Sequence, residues 1–379
     1  MRVRATRALV ERTGYSLPTV EYALDRLFGG MTADALRATI DDELGSLRAL
    51  DDFTARQGRP GVRYRPAGRA AIVASETTIG VAVIPLAFAL LAGCDVLVKD
   101  RSDGLVRAFI ETLAEEEPAF AVQATADIWD GTDVERSRER LLDADVVIAF
   151  GRDETLRAIR SELAPHARFV AFGHRTSVAY VGREALGDAD ACAIAASDAV
   201  RDALLYDGDG CLSPHAVFIE RDGALSPRAF AEAFVRACDA FAVEFPPGAP
   251  TPVAAALAYR RRANFRASQG DGEVYDAAGG AYVVAFDPPA GEPPPLYART
   301  VGLYVVDAPD AALRFVRRHG LPLEGFARRP QGRPDLEAAA QESGAHYVAA
   351  LGALQDPPLG GEHGGEGRIL PFVRAIYRP

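Results

Sequence analysis

The most constraining feature of this sequence is an alternation of apolar and helix-like segments between about residues 70 and 172. Short apolar runs have the length and composition of buried strands, and the stretches between them have helical periodicity. Strands that alternate with helices build βαβ units, so we predict an α/β fold with a Rossmann-like, doubly wound parallel sheet. The predicted order is strand 70–75, helix 79–92, strand 95–98, helix 104–115 capped by Ser102 and Asp103, strand 120–124, helix 134–142, strand 146–150, helix 154–163 and strand 168–172.

The flanking regions predict further structure. Residues 1 to about 60 are polar and predicted to be helical, with amphipathic stretches at 17–28 and 33–47. Beyond residue 174 a second α/β segment is expected, and the proline-rich stretches in it predict surface loops. We therefore expect a cofactor-binding domain over 1–173, a catalytic domain over 174–345, and a C-terminal segment, 346–379, that folds back toward the cofactor domain or the active site. The second segment has predicted helices at 189–205 and 227–241, strands at 215–220, 281–286 and 301–306, and loops at 246–252 and 288–295.

Charge and cysteine usage narrow the class of protein. The net charge of -11 is spread along the 379 residues, which argues against nucleic acid as a partner because phosphate binding needs a basic surface. The four cysteines show no paired short spacing, so we expect neither a metal site nor a disulfide framework. The longest apolar run, 79–94, is interrupted by Pro85 and is short for a membrane span. We expect a cytoplasmic enzyme with no signal peptide.

Cys211 is the candidate nucleophile. It lies in a Gly- and Asp-rich loop, 206–215, between a predicted helix and a predicted strand, where a thiol can face a cleft. Cys94, Cys192 and Cys238 fall in or at the ends of predicted helices, where cysteine usually acts as a small apolar residue. The neighbouring Asp207 and Asp209 would raise the pKa of a nearby thiol. These residues alone leave a purely structural role for Cys211 open.

Candidate cofactor-binding residues follow two predicted strands. Lys99 is the only lysine in the chain and comes directly after an apolar strand. Gly151 and Arg152 follow another strand and open a helix, whose free N–H groups can bind phosphate. Ligands of doubly wound sheets bind beyond the carboxyl ends of the strands. No G-x-G-x-x-G motif is present, so the sequence predicts a dinucleotide site of a non-standard kind.

Three motifs carry a resemblance to a known family. The run from Cys211 to His215 resembles the nucleophile motif of the acyl-CoA reductases typified by the fatty-acid reductase of bacterial bioluminescence, which belong to the aldehyde dehydrogenase superfamily. Residues 172–177 lie at a similar distance before the cysteine. The third motif is the closing segment, in which Gly364 replaces the usual aspartate: Gly344-Ala345-His346, Leu351-Gly352, Pro357-Pro358, His363-Gly364-Gly365 and Phe372-Val373-Arg374.

The resemblance implies a reaction. Such a protein has an aldehyde dehydrogenase-like fold and uses NADPH to reduce an acyl-CoA thioester to an aldehyde through a thioacyl intermediate on Cys211. Homo-oligomers are common in the superfamily, so one is expected here. Ala171 stands where hydrolytic members carry a glutamate base, and this favours reduction over hydrolysis.

The resemblance also implies roles for individual residues. Lys99 takes the position of the lysine that contacts the adenosine ribose. Ser102 replaces the glutamate of NAD-preferring members, and Arg101 is then expected to bind the 2′-phosphate of NADP. The oxyanion-hole asparagine is missing, so we expect Thr77 and the Cys211 N–H to donate in its place.

Two histidines and several alternative functions remain open. His174 and His215 are candidates to orient the thiol or to protonate the leaving group. The donor is either an acyl-CoA or the thioester of an acyl carrier protein. Two further hypotheses remain. The first is a catalytically degenerate homologue that binds a thioester or a partner, and Glu76 near the presumed site supports it. The second is a cysteine hydrolase, which the Rossmann-like pattern and Lys99 disfavour.

Overall fold

The N-terminal residues form two helices and then two strands. The computed structural model describes residues 9–11, 13–56, 59–75, 79–100, 104–249, 252–269 and 272–378. The helices Leu17–Gly30 and Ala33–Leu44 confirm the amphipathic prediction. The Thr32 side chain caps the second helix by accepting from the Ala35 N–H at 3.1 Å, and Gly45 ends it with φ 82°. The helical prediction is wrong further on, where β1 (Thr54–Arg56) and β2 (Arg59–Pro66) pair antiparallel.

The predicted alternation forms a five-stranded parallel sheet in the order β5-β4-β3-β6-β7. The central strands are apolar on both faces because helices cover both sides, and every residue of β6 is buried. The described elements are β3 (Arg69–Val73), helix Val83–Leu91, β4 (Asp95–Lys99), helix Leu105–Glu116, helix Phe120–Gln123, β5 (Ala124–Asp127), helix Val134–Leu141, β6 (Val146–Phe150), helix Asp153–Glu162 and β7 (Arg168–Phe172).

The strand order locates the ligand-binding crevice of this sheet. From β3 the chain moves outward through β4 to β5, and it then returns to the other side of β3 as β6 and β7. The topological switch point therefore lies between β3 and β6, and crevices at such points bind nucleotides outside the carboxyl ends of the strands. Lys99 ends β4, and Gly151 follows β6.

Two predictions in this region are corrected. Residues 120–123 form a short helix, and the strand begins only at Ala124. The residues predicted as the start of this strand do not form a buried face, since Val122 is 85% exposed. The apolar helix begins at Val83 rather than at residue 79. Gly80 has φ 70°, a left-handed conformation that a right-handed helix does not contain.

The second sheet has seven strands in the order β10-β11-β12-β9-β8-β13-β14, and every pair except β10–β11 is parallel. Helices on it include Ala189–Leu204 and Pro227–Glu244, which confirm the prediction, and Pro252–Ser268, Pro309–Arg318 and Pro334–Glu342, which it lacked. The strands are β8 (Thr176–Val181), β9 (Pro214–Glu220), β10 (Glu273–Asp276), β11 (Val283–Phe286), β12 (Thr300–Val306), β13 (Leu323–Arg329) and β14 (Tyr347–Ala350).

The chain divides into two units. The first contains residues 1–13, 20–174 and 358–379, and the second contains 14–19 and 175–357. The last strand, β15 (Val373–Arg378), pairs antiparallel with β2 in the first unit. Residues 346–357 belong to the second unit, because β14 pairs with β13, and so the boundary falls later than predicted. Within the described residues, no helix combines the length and apolar character needed to cross a bilayer.

Candidate active site

The cysteine loop, residues 205–213, connects the helix Ala189–Leu204 to β9 and is pinned on both sides of Cys211. Tyr206 and Asp207 both have φ 56°, which is unusual for residues with a side chain. Arg299, 2% exposed, stabilises this turn because its Nε donates to Asp207 Oδ1 at 2.7 Å and its backbone N–H to Asp207 O at 2.8 Å. The backbone is also held at the cysteine, where Ser177 Oγ donates to Cys211 O at 2.7 Å.

The predicted contrast between the cysteines is confirmed. Cys94, Cys192 and Cys238 are buried, whereas Cys211 is partly exposed. Burial raises the pKa of these three thiols and of Cys211 alike, so exposure rather than ease of ionisation distinguishes Cys211. Among the four cysteines, Cys211 is therefore the one that is partly open to solvent.

The buried Asp202 carboxylate stabilises the segment 352–355, and Gln355 of this segment contacts the cysteine loop. Asp202 is 0% exposed and accepts from the backbone N–H groups of Gly352, at 2.7 Å, and Leu354, at 3.0 Å. Gln355 Nε2 donates to Asp202 O at 2.6 Å and to Ser213 Oγ at 3.2 Å. Burial raises the pKa of Asp202 to about 7 despite these hydrogen bonds.

Two β-bulges lie on either side of β8, next to the cysteine loop. Ser177 pairs with Pro214 and Val178 with Ala216, so His215 is the extra residue of β9. Across the other edge, Thr176 pairs with Leu323 and Ser177 with Gly325, so Glu324 is the extra residue of β13. Bulges re-aim side chains and are common beside active sites.

The thiol is held in its neutral form. Burial and the Glu324 carboxylate raise the pKa of Cys211 to about 12, although the N–H groups of Cys211 and Leu212 and the charge of Arg175 act in the opposite direction. Arg175 Nε lies 3.5 Å from Glu324 Oε2, and the Glu324 side chain is 5% exposed. The sequence pointed to Asp207 and Asp209 as the acids that would oppose the thiolate, but Asp207 is engaged by Arg299 and the acid that acts on the thiol is Glu324.

The two candidate histidines have different surroundings. His215 is buried, and its Nδ1 lies 3.2 Å from Thr300 O, a contact that a protonated Nδ1 makes as a donor. His174 is exposed and is the last residue of the first unit. Gly173 before it has no side chain where a Cβ would meet Asp153 Oδ1 at 2.7 Å. Their roles at the thiol stay predictions.

The predicted cofactor-binding edge, called the cofactor edge below, is formed by the carboxyl ends of β4, β5 and β6 in the first unit. Lys99 Nζ lies 5.2 Å from the centroid of the buried Trp129 ring, and Trp129 Nε1 donates to Ser137 Oγ at 2.9 Å. Lys99 also lowers the pKa of Asp130, after the hydrogen bonds from Thr132. The ammonium is therefore directed toward the end of β5.

Arginines extend the positive charge along this edge. Asp127, the last residue of β5, lies 3.2 Å from Arg136 Nη2 and 3.0 Å from Arg140 Nη2. On the other side, Arg152 precedes the helix Asp153–Glu162 and its side chain makes no capping hydrogen bond, while Asp153 and Glu154 lie in the first turn. Lysine, arginine and free N–H groups are the donors that bind nucleotide phosphates and ribose, so the edge fits a dinucleotide. Thr77, Arg101 and Ser102, and Glu76 beside Thr77, lie outside the described residues.

Sequence reasoning missed the residues whose importance depends on non-local pairing. Glu324, Arg175 and Ser177 meet the cysteine loop only because β13, β8 and β9 are neighbours. Trp129 carries no motif and lies beneath Lys99 through the pairing of β4 with β5. The signal available for Glu324 was a lone acid within an apolar stretch that ends in Phe326-Ala327.

The fold is that of the aldehyde dehydrogenases. Aldehyde dehydrogenase 21 from Physcomitrella patens, solved with its product succinate, superimposes with a TM-score of 0.75 at 13% identity, over 98% of this chain and 81% of that one. An NAD-dependent benzaldehyde dehydrogenase from Corynebacterium glutamicum gives 0.74 at 14%, over 100% and 82%. A glyceraldehyde-3-phosphate dehydrogenase from Methanocaldococcus jannaschii, complexed with NADP, gives 0.72 at 12%, over 98% and 84%.

Within this class the chain belongs to the acyl-CoA reductase (LuxC) family, which it matches over residues 1–375. It is also 26% identical over 191 residues to the long-chain acyl-protein thioester reductase of Aliivibrio fischeri. That alignment covers 48% of this chain and 38% of the relative. The resemblance stated from the sequence motifs is thereby confirmed at the level of the family and the fold.

Proposed function

We propose that this protein reduces an acyl thioester to an aldehyde, with NADPH as the reductant and Cys211 as the nucleophile. The observation that carries the proposal is the accessible Cys211 thiol on a pinned loop, in a chain of the acyl-CoA reductase family. The N–H groups of Cys211 and Leu212 act to lower the pKa of this thiol, and hydrogen bonds from backbone N–H groups stabilise a developing thiolate. Reduction of a thioester by this route requires such a nucleophile.

The chemistry at Cys211 proceeds in two stages. The thiolate attacks the thioester carbonyl carbon, and the oxyanion that forms accepts a hydrogen bond from the Cys211 N–H, with Thr77 as the second donor proposed from the sequence. Collapse of this intermediate expels the carrier thiol and leaves a thioacyl group on Cys211. Ala171 offers no carboxylate to activate water, so the thioacyl group persists long enough to be reduced.

The residues of the cofactor edge would hold the dinucleotide. Lys99 would bind the adenosine ribose, the helix N-terminus at Gly151 and Arg152 would bind phosphate, and Arg101 would pair with a 2′-phosphate that Ser102 leaves room for. When bound, NADPH would supply a hydride to the thioacyl carbonyl carbon, and breakage of the carbon–sulfur bond to Cys211 would then release the aldehyde and return the thiol. The arginines on Asp127 add positive charge at the end of β5, which favours the more anionic NADP(H) over NAD(H).

The experiment is NADPH oxidation by the purified protein with a panel of saturated acyl-CoA thioesters, with the aldehyde trapped and identified. NADPH-dependent aldehyde formation is expected, together with a lower rate for NADH. Aldehyde formation with equal rates for the two nucleotides would overturn the NADPH assignment alone. Release of free fatty acid without nucleotide oxidation would instead identify a cysteine hydrolase.

A second donor is favoured by one relative. The protein of Aliivibrio fischeri is described as acting on an acyl-protein thioester, and this points to a protein-bound acyl group as the alternative substrate. The same assay with an acyl carrier protein charged with the best acyl group separates the two donors. A higher kcat/KM for the protein-bound thioester at matched chain length would identify the acyl carrier protein, and not coenzyme A, as the preferred acyl donor.

A further inference from the structure

The mechanism proposed above leaves one step without a residue: the removal of the proton from Cys211. The pKa of this thiol is raised to about 12, so at neutral pH only a minute fraction is thiolate. A thiol must lose its proton to attack a carbonyl carbon, and a thiolate carrier that departs must gain one. A residue near Sγ that accepts and returns a proton would serve both needs.

Glu324 is placed for this role by the bulge in β13. Glu324 is the extra residue between the Thr176–Leu323 and Ser177–Gly325 pairs, and its charge acts on the Cys211 thiol. The carboxylate is almost fully buried and forms an ion pair with Arg175 at 3.5 Å. Carboxylates are seldom buried without pairing, and those found beside a nucleophile are candidates for acid–base catalysis.

The backbone next to Glu324 approaches the cysteine loop closely. A Cβ at position 325 would lie 2.7 Å from Ser177 Oγ and 3.1 Å from Leu212 Cδ2, so only glycine fits there without displacement. Ser177 Oγ in turn donates to Cys211 O. The residue after Glu324 therefore packs against the residue after Cys211, and the two functional groups belong to one cluster.

We propose that Glu324 accepts the Cys211 proton during attack on the thioester and returns it to the departing carrier thiol; this inference rests on the proposed function. The S–H bond of Cys211 breaks as an O–H bond forms on Glu324, and Sγ forms a bond to the carbonyl carbon. The carbon–sulfur bond to the carrier then breaks, and the proton passes from Glu324 to the carrier sulfur. Arg175 holds the carboxylate in place between these transfers.

The alternative role for Glu324 is purely electrostatic and predicts an effect of the opposite sign. A fixed negative charge that only opposes the thiolate would slow every reaction of Cys211, and its removal would accelerate them all. A proton carrier instead accelerates thioester attack in spite of opposing the free thiolate. Two reactions of the same sulfur therefore distinguish the roles: alkylation by iodoacetamide and acylation by an acyl-CoA.

The test compares Glu324→Gln with the wild-type protein in single-turnover acylation by the best acyl-CoA and in alkylation by iodoacetamide. Acylation is expected to fall by about 10²-fold or more, the usual contribution of a proton carrier. Alkylation at neutral pH is expected to stay equal or to rise, because the opposing charge is gone. Parallel changes in the two rates, upward or downward, or no change in either, would overturn the proposal.

The control is Glu337→Gln, which removes a carboxylate paired with Arg328 of the same strand at 2.7 Å. Its ratio of acylation to alkylation should match that of the wild type. Glu324→Asp, which keeps a carboxylate at a shorter reach, should lie between the wild type and Glu324→Gln.

A measurement on the wild-type protein tests the role of Glu324 even if Glu324→Gln does not fold. Alkylation should rise about tenfold per pH unit between pH 7 and 9, since the thiolate fraction does so below its pKa. Acylation should rise much less, because the proton is passed internally. An equally steep rise in both would contradict the role of Glu324. Failure of acyl-CoA to label Cys211 in the wild type at any pH would instead contradict the proposed function itself.

Discussion

The cofactor edge and the cysteine loop use polar residues in opposite ways. At the cofactor edge, Lys99, Arg136 and Arg140 are at least partly exposed to solvent. Around the cysteine loop, Asp202 and Glu324 are buried and Cys211 is only partly exposed, and the pKa values of Asp202 and Cys211 are raised far above their ordinary range. Solvated charges bind a charged ligand at little cost, whereas burial moves the pKa of a group away from its ordinary value.

The largest effect that would test this contrast is the loss of the thiol. In Cys211→Ala, aldehyde formation should fall by about 10⁴-fold or more, since a missing nucleophile cannot be replaced by neighbouring groups. Cys192→Ala, which changes a buried cysteine in a helix, is the matched control and should retain activity. Trapped aldehyde measures both. Continued aldehyde production by Cys211→Ala would show that the reaction does not pass through this residue.

The next effect concerns Asp202 and pH. Its pKa rises from an ordinary 3.8 to about 7, so the folded protein holds this proton where the unfolded chain has lost it. The contribution of Asp202 to stability is present below pH 4 and is lost as the pH rises toward 7, by up to about 4 kcal/mol. In Asp202→Asn the free energy of unfolding should lack this component, so the deficit of the variant shrinks as the pH rises. Urea unfolding between pH 4 and 8 measures it, and a constant deficit would refute the raised pKa.

A smaller effect is expected at the cofactor edge. Lys99→Met keeps an apolar side chain over Trp129 but removes the ammonium group. The KM for NADPH should therefore rise by about tenfold, which corresponds to the loss of one charge-assisted hydrogen bond. Lys99→Arg keeps the charge and should change the KM less. This effect should weaken as salt is raised, because the edge is solvated. Unchanged NADPH binding in Lys99→Met would remove Lys99 from the cofactor site.

The smallest effect is expected where a charge pair lies wholly in solvent. Arg314 and Asp310 are exposed and one helical turn apart in the helix Pro309–Arg318. Arg314→Ala should change the free energy of unfolding by no more than about 0.5 kcal/mol. Thermal or urea unfolding measures this. A loss several times larger would show that exposure alone does not predict which charges of this protein matter.

Much of the fold followed from local patterns. The strands at β4, β6 and β7 and the helices from Ala189 and from Pro227 appear close to where apolar periodicity predicted them, because burial on both faces or on one stripe marks them in sequence. The failures occurred where a partner is distant. The helical prediction to about residue 60 fails at β1 and at the start of β2, and β2 is stabilised as a strand by β15, more than 300 residues later.

The sequence by itself determined the class of protein: an α/β chain with one candidate nucleophile, Cys211, one lysine at a strand end, and motifs of the acyl-CoA reductase family. These are properties of residue type and spacing. The tertiary structure decided how Cys211 is controlled. Glu324, Arg175 and Asp202 act on the cysteine loop through strand order, two bulges and burial, and none of these is encoded by residues close together in the chain. The pKa of a thiol depends on the groups that the fold places around it, so the sequence alone could not predict the raised pKa of Cys211 or its cause.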